Sequence, residues 1–175
     1  PSCALLDGDE MPFIRSLPFS LTQDQHKVIS EIKQDFLSPY ATKRVVMGDV
    51  GCGKTMVILA SVMMCYPKRS ILMAPTTVLA TQLYDEAKKY LPACVKVALV
   101  TQDTGVKEEL YGYDFLIGTH ALLYRELPEC SLVMVDEQHR FGTKQRALLA
   151  SLVSEASHHS HYIQFSATPI PRTLS

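Results

Sequence analysis

The chain has 175 residues, 47% of them hydrophobic and 20% charged, with a net charge of −1. That length suits one domain with a sizeable core, and the composition is ordinary for a soluble globular protein. No stretch reaches the ~20 uninterrupted apolar residues of a membrane span, no basic-plus-apolar leader opens the chain, and the near-neutral charge gives no support for a large nucleic-acid surface. Five cysteines at scattered spacings, with no CxxC pair, predict free thiols in a reducing, cytoplasmic compartment.

Residues 1–17 carry Asp7, Asp9 and Glu10 and read as a Pro-containing lead-in. Thr22 then predicts the N-cap of a helix running to Phe36, ended by a turn at Ser38–Tyr40. From there apolar runs (RVVM, SILMAP, VKVALV, DFLIGT, SLVMVD, HYIQFSAT) alternate with helical segments at Thr55–Cys65, Val78–Tyr90 and Lys144–Val153. Near-continuous apolar strands belong to a parallel sheet covered by helices on both faces. The expected fold is therefore a three-layer α/β domain around a central, mainly parallel sheet. In such sheets ligands bind at the carboxyl ends of strands. Polar strings stand where five of the runs stop: GDVGCGKT, PTT, TH, DEQH and SATP.

The first string, Gly48-Asp49-Val50-Gly51-Cys52-Gly53-Lys54-Thr55, fits the pattern G-x-x-x-x-G-K-[ST]. Glycines let successive N–H groups turn toward phosphate oxygens at a helix N-terminus. Lys54 is placed to neutralise β- and γ-phosphates and Thr55 to ligate magnesium. Asp136 and Glu137 end another apolar run. Paired with a phosphate loop, Asp136 is the expected magnesium ligand and Glu137 the base that activates water. Together these predict ATP hydrolysis with magnesium. A small-molecule kinase has a similar phosphate loop, but neither its arginine-rich lid nor a use for DEQH and SAT is apparent. A nucleotide-binding switch without catalysis is a third class, one that would tolerate loss of Glu137. The string His158-His159-Ser160-His161 has the look of a metal site, yet its spacing and lack of nearby companion ligands favour a solvated loop. Gly105–Gly112 carries both charge signs and reads as a surface connection.

With these strings in order, the chain resembles the first RecA-like motor lobe of the superfamily 2 helicases of RecG type. The strings that carry the resemblance are GDVGCGKT, DEQHRFG (Asp136–Gly142) and SATPIPRTL (Ser166–Leu174). Mfd-like and PriA-like translocases share part of the pattern; Gln138 tips the choice to RecG. The resemblance implies that residues 1–17 link to a missing N-terminal region and that 18–175 form the ATP-binding lobe. A second RecA-like lobe and a wedge domain would lie elsewhere in a longer bacterial, cytoplasmic protein. It implies that Gln25 of the LTxxQ signature reads the adenine edge and that Phe19 stacks on the base. Pro75, Thr76 and Thr77, with Thr119 and His120, would touch a DNA backbone. His139, Ser166 and Thr168 would couple nucleotide state to DNA. The implied partner is branched DNA, namely forks and Holliday junctions, and the segment 101–114 is shorter than usual in the family.

Overall fold

A computed structural model describes residues 14–15, 17–18, 20–38, 43–47, 51–66, 68–93, 95–101, 112–124, 131–136, 143–144, 147 and 161–166. Six strands appear where the apolar runs predict them: β1 (Lys43–Met47), β2 (Ser70–Met73), β3 (Val97–Val100), β4 (Phe115–Gly118), β5 (Leu132–Asp136) and β6 (His161–Ser166). All pair in parallel, in the order β1-β6-β5-β2-β4-β3. The last strand therefore inserts between the first and the fifth.

Helix α1 (Gln23–Leu37) begins at Thr22, as its sequence predicts. The Thr22 hydroxyl accepts from the Gln25 N–H at 3.1 Å, and the Gln25 side-chain carbonyl accepts from the Thr22 N–H at 2.7 Å. This reciprocal capping box satisfies two backbone donors that the first turn leaves open. Ile29 and Ile32 face the core, and Asp35 takes a two-pronged ion pair from Arg44 on β1. That clamp fixes the helix to the strand that leads into the glycine-rich loop.

Helix α2 (Gly51–Cys65) starts earlier than propensity suggests, because its first turn is built from the glycines of the loop. Every residue from Met56 to Met63 is buried. A helix apolar all round must be covered on all sides, and α2 lies between the sheet and its neighbours α1 and α3 (Thr77–Tyr90). The hydroxyl of Ser61, within this buried stretch, donates to the Val57 carbonyl at 2.8 Å and so carries no unmet polar cost.

Both sheet faces are buried. Leu72, Phe115, Ile117, Leu132, Met134, Ile163 and Phe165 pack under the helices, while Ile71, Met73, Leu116, Val133 and Val135 form a second cluster. Leu122, from the short 3-10 turn His120–Tyr124, packs into that second cluster. Most of the expected helix 144–153, and the connection 105–112 except Gly112, lie outside the described residues. His161 departs from the solvated-loop reading of its string. It opens β6, half-buried, with its ring 4.7 Å from that of Phe36, and burial pushes its imidazole pKa down. Among the described residues no group of His, Cys, Asp and Glu is arranged to hold a metal by side chains of those types alone.

Candidate functional site

The carboxyl ends of β1, β6 and β5 lie side by side. Register places Ser166 opposite Met47 and Phe165 opposite Asp136, which brings the three strand ends level. Residues 51–53 form the first turn of α2. The first N–H groups of a helix have no partner within it and carry the positive end of its dipole, an arrangement that attracts anions.

Lys54 stands on this first turn, and its Nζ donates to Asp136 Oδ1 at 2.7 Å. The lysine side chain is 16% exposed and the carboxylate 3%. Eighty-two positions of sequence separate them, so only the sheet order brings them together. Thr55 and Ser166 are buried beside these elements, each as a hydroxyl near a strand or helix end. The result is a cation, a carboxylate and two hydroxyls gathered at one edge of the sheet. Desolvating a charge pair is costly, and packing alone would favour apolar residues at such a place. The sequence assigns Lys54 to phosphate and Asp136 to magnesium; that they would hold each other was not legible from their spacing.

The other half of the strand-end row is built differently. The Ala74 N–H donates to the Gly118 carbonyl at 2.8 Å and the Thr119 N–H to the Val100 carbonyl at 3.2 Å. Gly118 has no room for a side chain, since a Cβ there would sit 2.3 Å from the Val100 carbonyl oxygen. This requirement escaped the sequence reading, although a glycine immediately before the TH string was its signal. Thr76 caps α3, its hydroxyl accepting from the Leu79 N–H at 3.2 Å. Thr119 is buried, and its hydroxyl accepts from the Ala121 N–H at 3.3 Å. Thr77 is exposed at the start of α3, Pro75 is half-buried two residues before it, and His120 is half-buried after β4.

Of the remaining sequence candidates, Gln25 lies in the capping box of α1. An open recess of about 380 Å³ borders the same helix start, lined by Ile14, Arg15, Leu17, Pro18, Leu21 and His26 among others. Phe19, Gly48, Asp49, Val50, Glu137, His139 and Thr168 lie outside the described residues. Gly51, Cys52 and Gly53 are placed by their helical backbone.

Residues 22–175 match the DEAD/DEAH box helicases. The chain is 53% identical over 169 residues to the ATP-dependent DNA helicase RecG of Helicobacter pylori strain J99, covering 93% of this chain and 27% of that protein. It is 39% identical over 166 residues to the transcription-repair-coupling factor of Helicobacter pylori strain 26695, covering 90% and 16%. Among solved structures, RecG bound to a three-way DNA junction superposes with a TM-score of 0.72 at 31% identity, over 94% of this chain and 23% of that one. The fold is thus RecA-like, as the sequence predicts. The chain spans about a quarter of the length of the RecG proteins it matches.

Proposed function

Because the chain belongs to the DEAD/DEAH box helicase family, we propose that it is the ATP-binding and hydrolysing motor lobe of a RecG-like helicase that remodels branched DNA in recombination and repair. The observation that carries the reading is the buried contact of Lys54 with Asp136 at the point where three parallel strands end. A desolvated ammonium at a helix N-terminus, next to a carboxylate, is a site for an anion accompanied by a metal cation, which is the chemistry of a nucleoside triphosphate.

In this reading the backbone of residues 48–53 cradles the phosphates and Lys54 takes charge from the β- and γ-groups. Hard divalent cations prefer oxygen donors. The buried Thr55 hydroxyl and the Asp136 carboxylate are such donors, so the residues present fit magnesium. When bound, magnesium would neutralise phosphate charge that grows on the leaving group. Glu137 orients and deprotonates the attacking water. Gln25 reads the adenine edge with Phe19 stacked on the base. His139, Ser166 and Thr168 couple nucleotide state to DNA. The exposed start of α3 at Thr76–Thr77, with Pro75 and the Thr119–His120 turn, contacts the sugar-phosphate backbone without reading sequence.

The rest of the assignment concerns a longer bacterial, cytoplasmic protein. A second RecA-like lobe would supply a transition-state cation and a wedge domain would engage the branch point. Among the described residues no helix is long and apolar enough to cross a membrane. The test is ATP turnover by the longer protein with fork DNA, plain duplex and no DNA at one salt concentration. Fork-selective stimulation is the expected result. Turnover indifferent to DNA would remove the helicase reading, and phosphoryl transfer to a small molecule would replace it with the kinase.

A further inference from the structure

We propose that the edge of the sheet where its strands begin is a second contact for the DNA backbone, taking a further duplex arm of a branched substrate. The proposal rests on the helicase reading above. Backbone hydrogen bonds bring the strand starts level. The Asp114 N–H donates to the Lys96 carbonyl at 2.8 Å and the Ser70 N–H to the Asp114 carbonyl at 2.9 Å. The Ser131 N–H donates to the Arg69 carbonyl at 2.8 Å and the His161 N–H to the Ser131 carbonyl at 2.9 Å. Lys96 stands on this line before β3, and Lys68 and Arg69 stand before β2. Helix α3 carries the chain from the end of β2 back toward the start of the parallel β3. Its last turn, with Lys88 and Lys89, therefore returns to the same edge. The four lysines are exposed and Arg69 is half-buried. Arg69 Nε donates to the carbonyl of the exposed Tyr113 at 2.9 Å, which ties the guanidinium to the line.

Among the described residues the acid on this line is Asp114, and its carboxylate accepts from the Lys96 N–H at 3.0 Å. Asp85 and Glu86 lie about one turn earlier on α3, and Asp35 is held by Arg44. His161 adds no charge near pH 7. Burial, helped by the nearby charge of Lys68, outweighs the pull of Asp35 and keeps its pKa below the ordinary value. The near-neutral total of the chain conceals this row because acids stand elsewhere, Asp7, Asp9 and Glu10 among them. Neighbouring strands lie about 4.8 Å apart, so Lys96 and Arg69, two strand intervals apart, are separated by about 10 Å along the row. A duplex carries one negative charge per ~1.7 Å of axis, so a row of this length meets about six phosphates. An isolated acidic side chain would offer it one charge. The carboxyl edge, with Thr76–Thr77 and Thr119–His120, lies the length of α3 away, about 21 Å for 14 residues. A straight duplex seated there does not reach the amino edge, whereas a branched substrate has a second arm to send to it.

The test uses the longer protein, native and with Lys68→Gln, Lys88→Gln and Lys96→Gln combined, binding fork DNA and plain duplex over a series of salt concentrations. Fork affinity is expected to fall by at least about tenfold in the variant. The slope of log affinity against log salt should flatten by about two to three, roughly one per lost phosphate contact. Plain-duplex affinity and DNA-free ATP turnover should hold. Lys68→Arg, Lys88→Arg and Lys96→Arg together keep the charge and should keep fork binding. Unchanged fork affinity and slope overturn the proposal and leave the row to an acidic protein segment. Equal losses for fork and plain duplex overturn it too, since the row would then serve the same track as the carboxyl edge. If the glutamine variant does not fold, equal salt slopes of the native protein on fork and plain duplex overturn it as well. Failure of the native protein to bind either DNA would instead remove the helicase reading on which the proposal stands.

Discussion

The two halves of the strand-end row solve the same topological problem with different chemistry. Where β1, β6 and β5 end, Lys54 and Asp136 meet across 82 positions and hold a charge pair away from water. Where β2 and β4 end, Thr76 and Thr119 turn their hydroxyls to N–H groups two or three residues away. The first half depends on the whole sheet and carries unspent charge, which suits a ligand that is itself charged. The second half depends on local turns and shapes backbone, which suits contact with a uniform phosphate chain. Under the proposed function, ATP chemistry belongs to the long-range half and strand contact to the local one.

The largest expected break of that contrast is Lys54→Ala. Loss of the cation should reduce ATP turnover by the longer protein to background. The same change removes the ammonium from the buried Asp136 carboxylate, so thermal or urea unfolding should also show a loss of about 1–3 kcal/mol. Turnover at the native rate would remove Lys54 from the phosphate site. Next in size, Glu137→Gln keeps shape but cannot take a proton. Hydrolysis should fall by about 10²–10⁴-fold while ATP still binds. Equal loss of binding and rate in single-turnover and equilibrium measurements would point to a ligand or structural role instead.

On the local side, Gly118→Ala probes backbone alone. Its Cβ would press on the Val100 carbonyl oxygen, so β3 and β4 must separate at an expected cost of about 1–3 kcal/mol in denaturant unfolding. An unchanged midpoint would mean that the strand ends are less tightly joined than described. Gln25→Glu sharpens the comparison at the adenine edge. Glutamate serves a capping box as well as glutamine, so stability should hold. The lost amide donor should weaken ATP relative to other nucleoside triphosphates by about tenfold, in line with one unmade hydrogen bond. Loss of stability without loss of base selectivity would make Gln25 a cap alone. The smallest effect is Thr76→Ala, expected to cost about 1 kcal/mol through the lost N-cap, with Thr76→Ser restoring it. DNA affinity that returns with the serine, measured at fixed salt, keeps the hydroxyl in the contact; affinity indifferent to both changes leaves only the cap.

These contrasts also mark what was legible in the sequence. Strands β2, β4 and β5 could be read because each is buried at every position and so appears as an unbroken apolar run, whereas β1, with Val45 50% exposed, and the half-buried β6 are legible from their β-branched and aromatic residues. Thr22 announces the start of α1 by its residue type, while the reciprocal bond from Gln25 emerges in the structure. The order of the sheet could not be read, because nothing in HYIQFS states that it slides between β1 and β5. The Lys54–Asp136 contact inherits that illegibility, being a consequence of strand order. The start of α2 was misplaced by four residues for a different reason. Glycine disfavours a helix by propensity, yet here Gly51 and Gly53 stand in its first turn. The buried state of Thr119 likewise depends on the close approach of β3 to β4, a tertiary fact with only Gly118 as its trace.

The central claim is that the buried Lys54–Asp136 pair is the phosphate and metal end of an ATP site. A crystal structure of the chain with a non-hydrolysable ATP analogue and magnesium tests it most directly. The account predicts Lys54 Nζ released from Asp136 and bonded to phosphate oxygen, with Thr55 and Asp136 turned toward the cation. An analogue bound elsewhere, or seated at the glycine-rich turn with the Lys54–Asp136 contact intact, would contradict it.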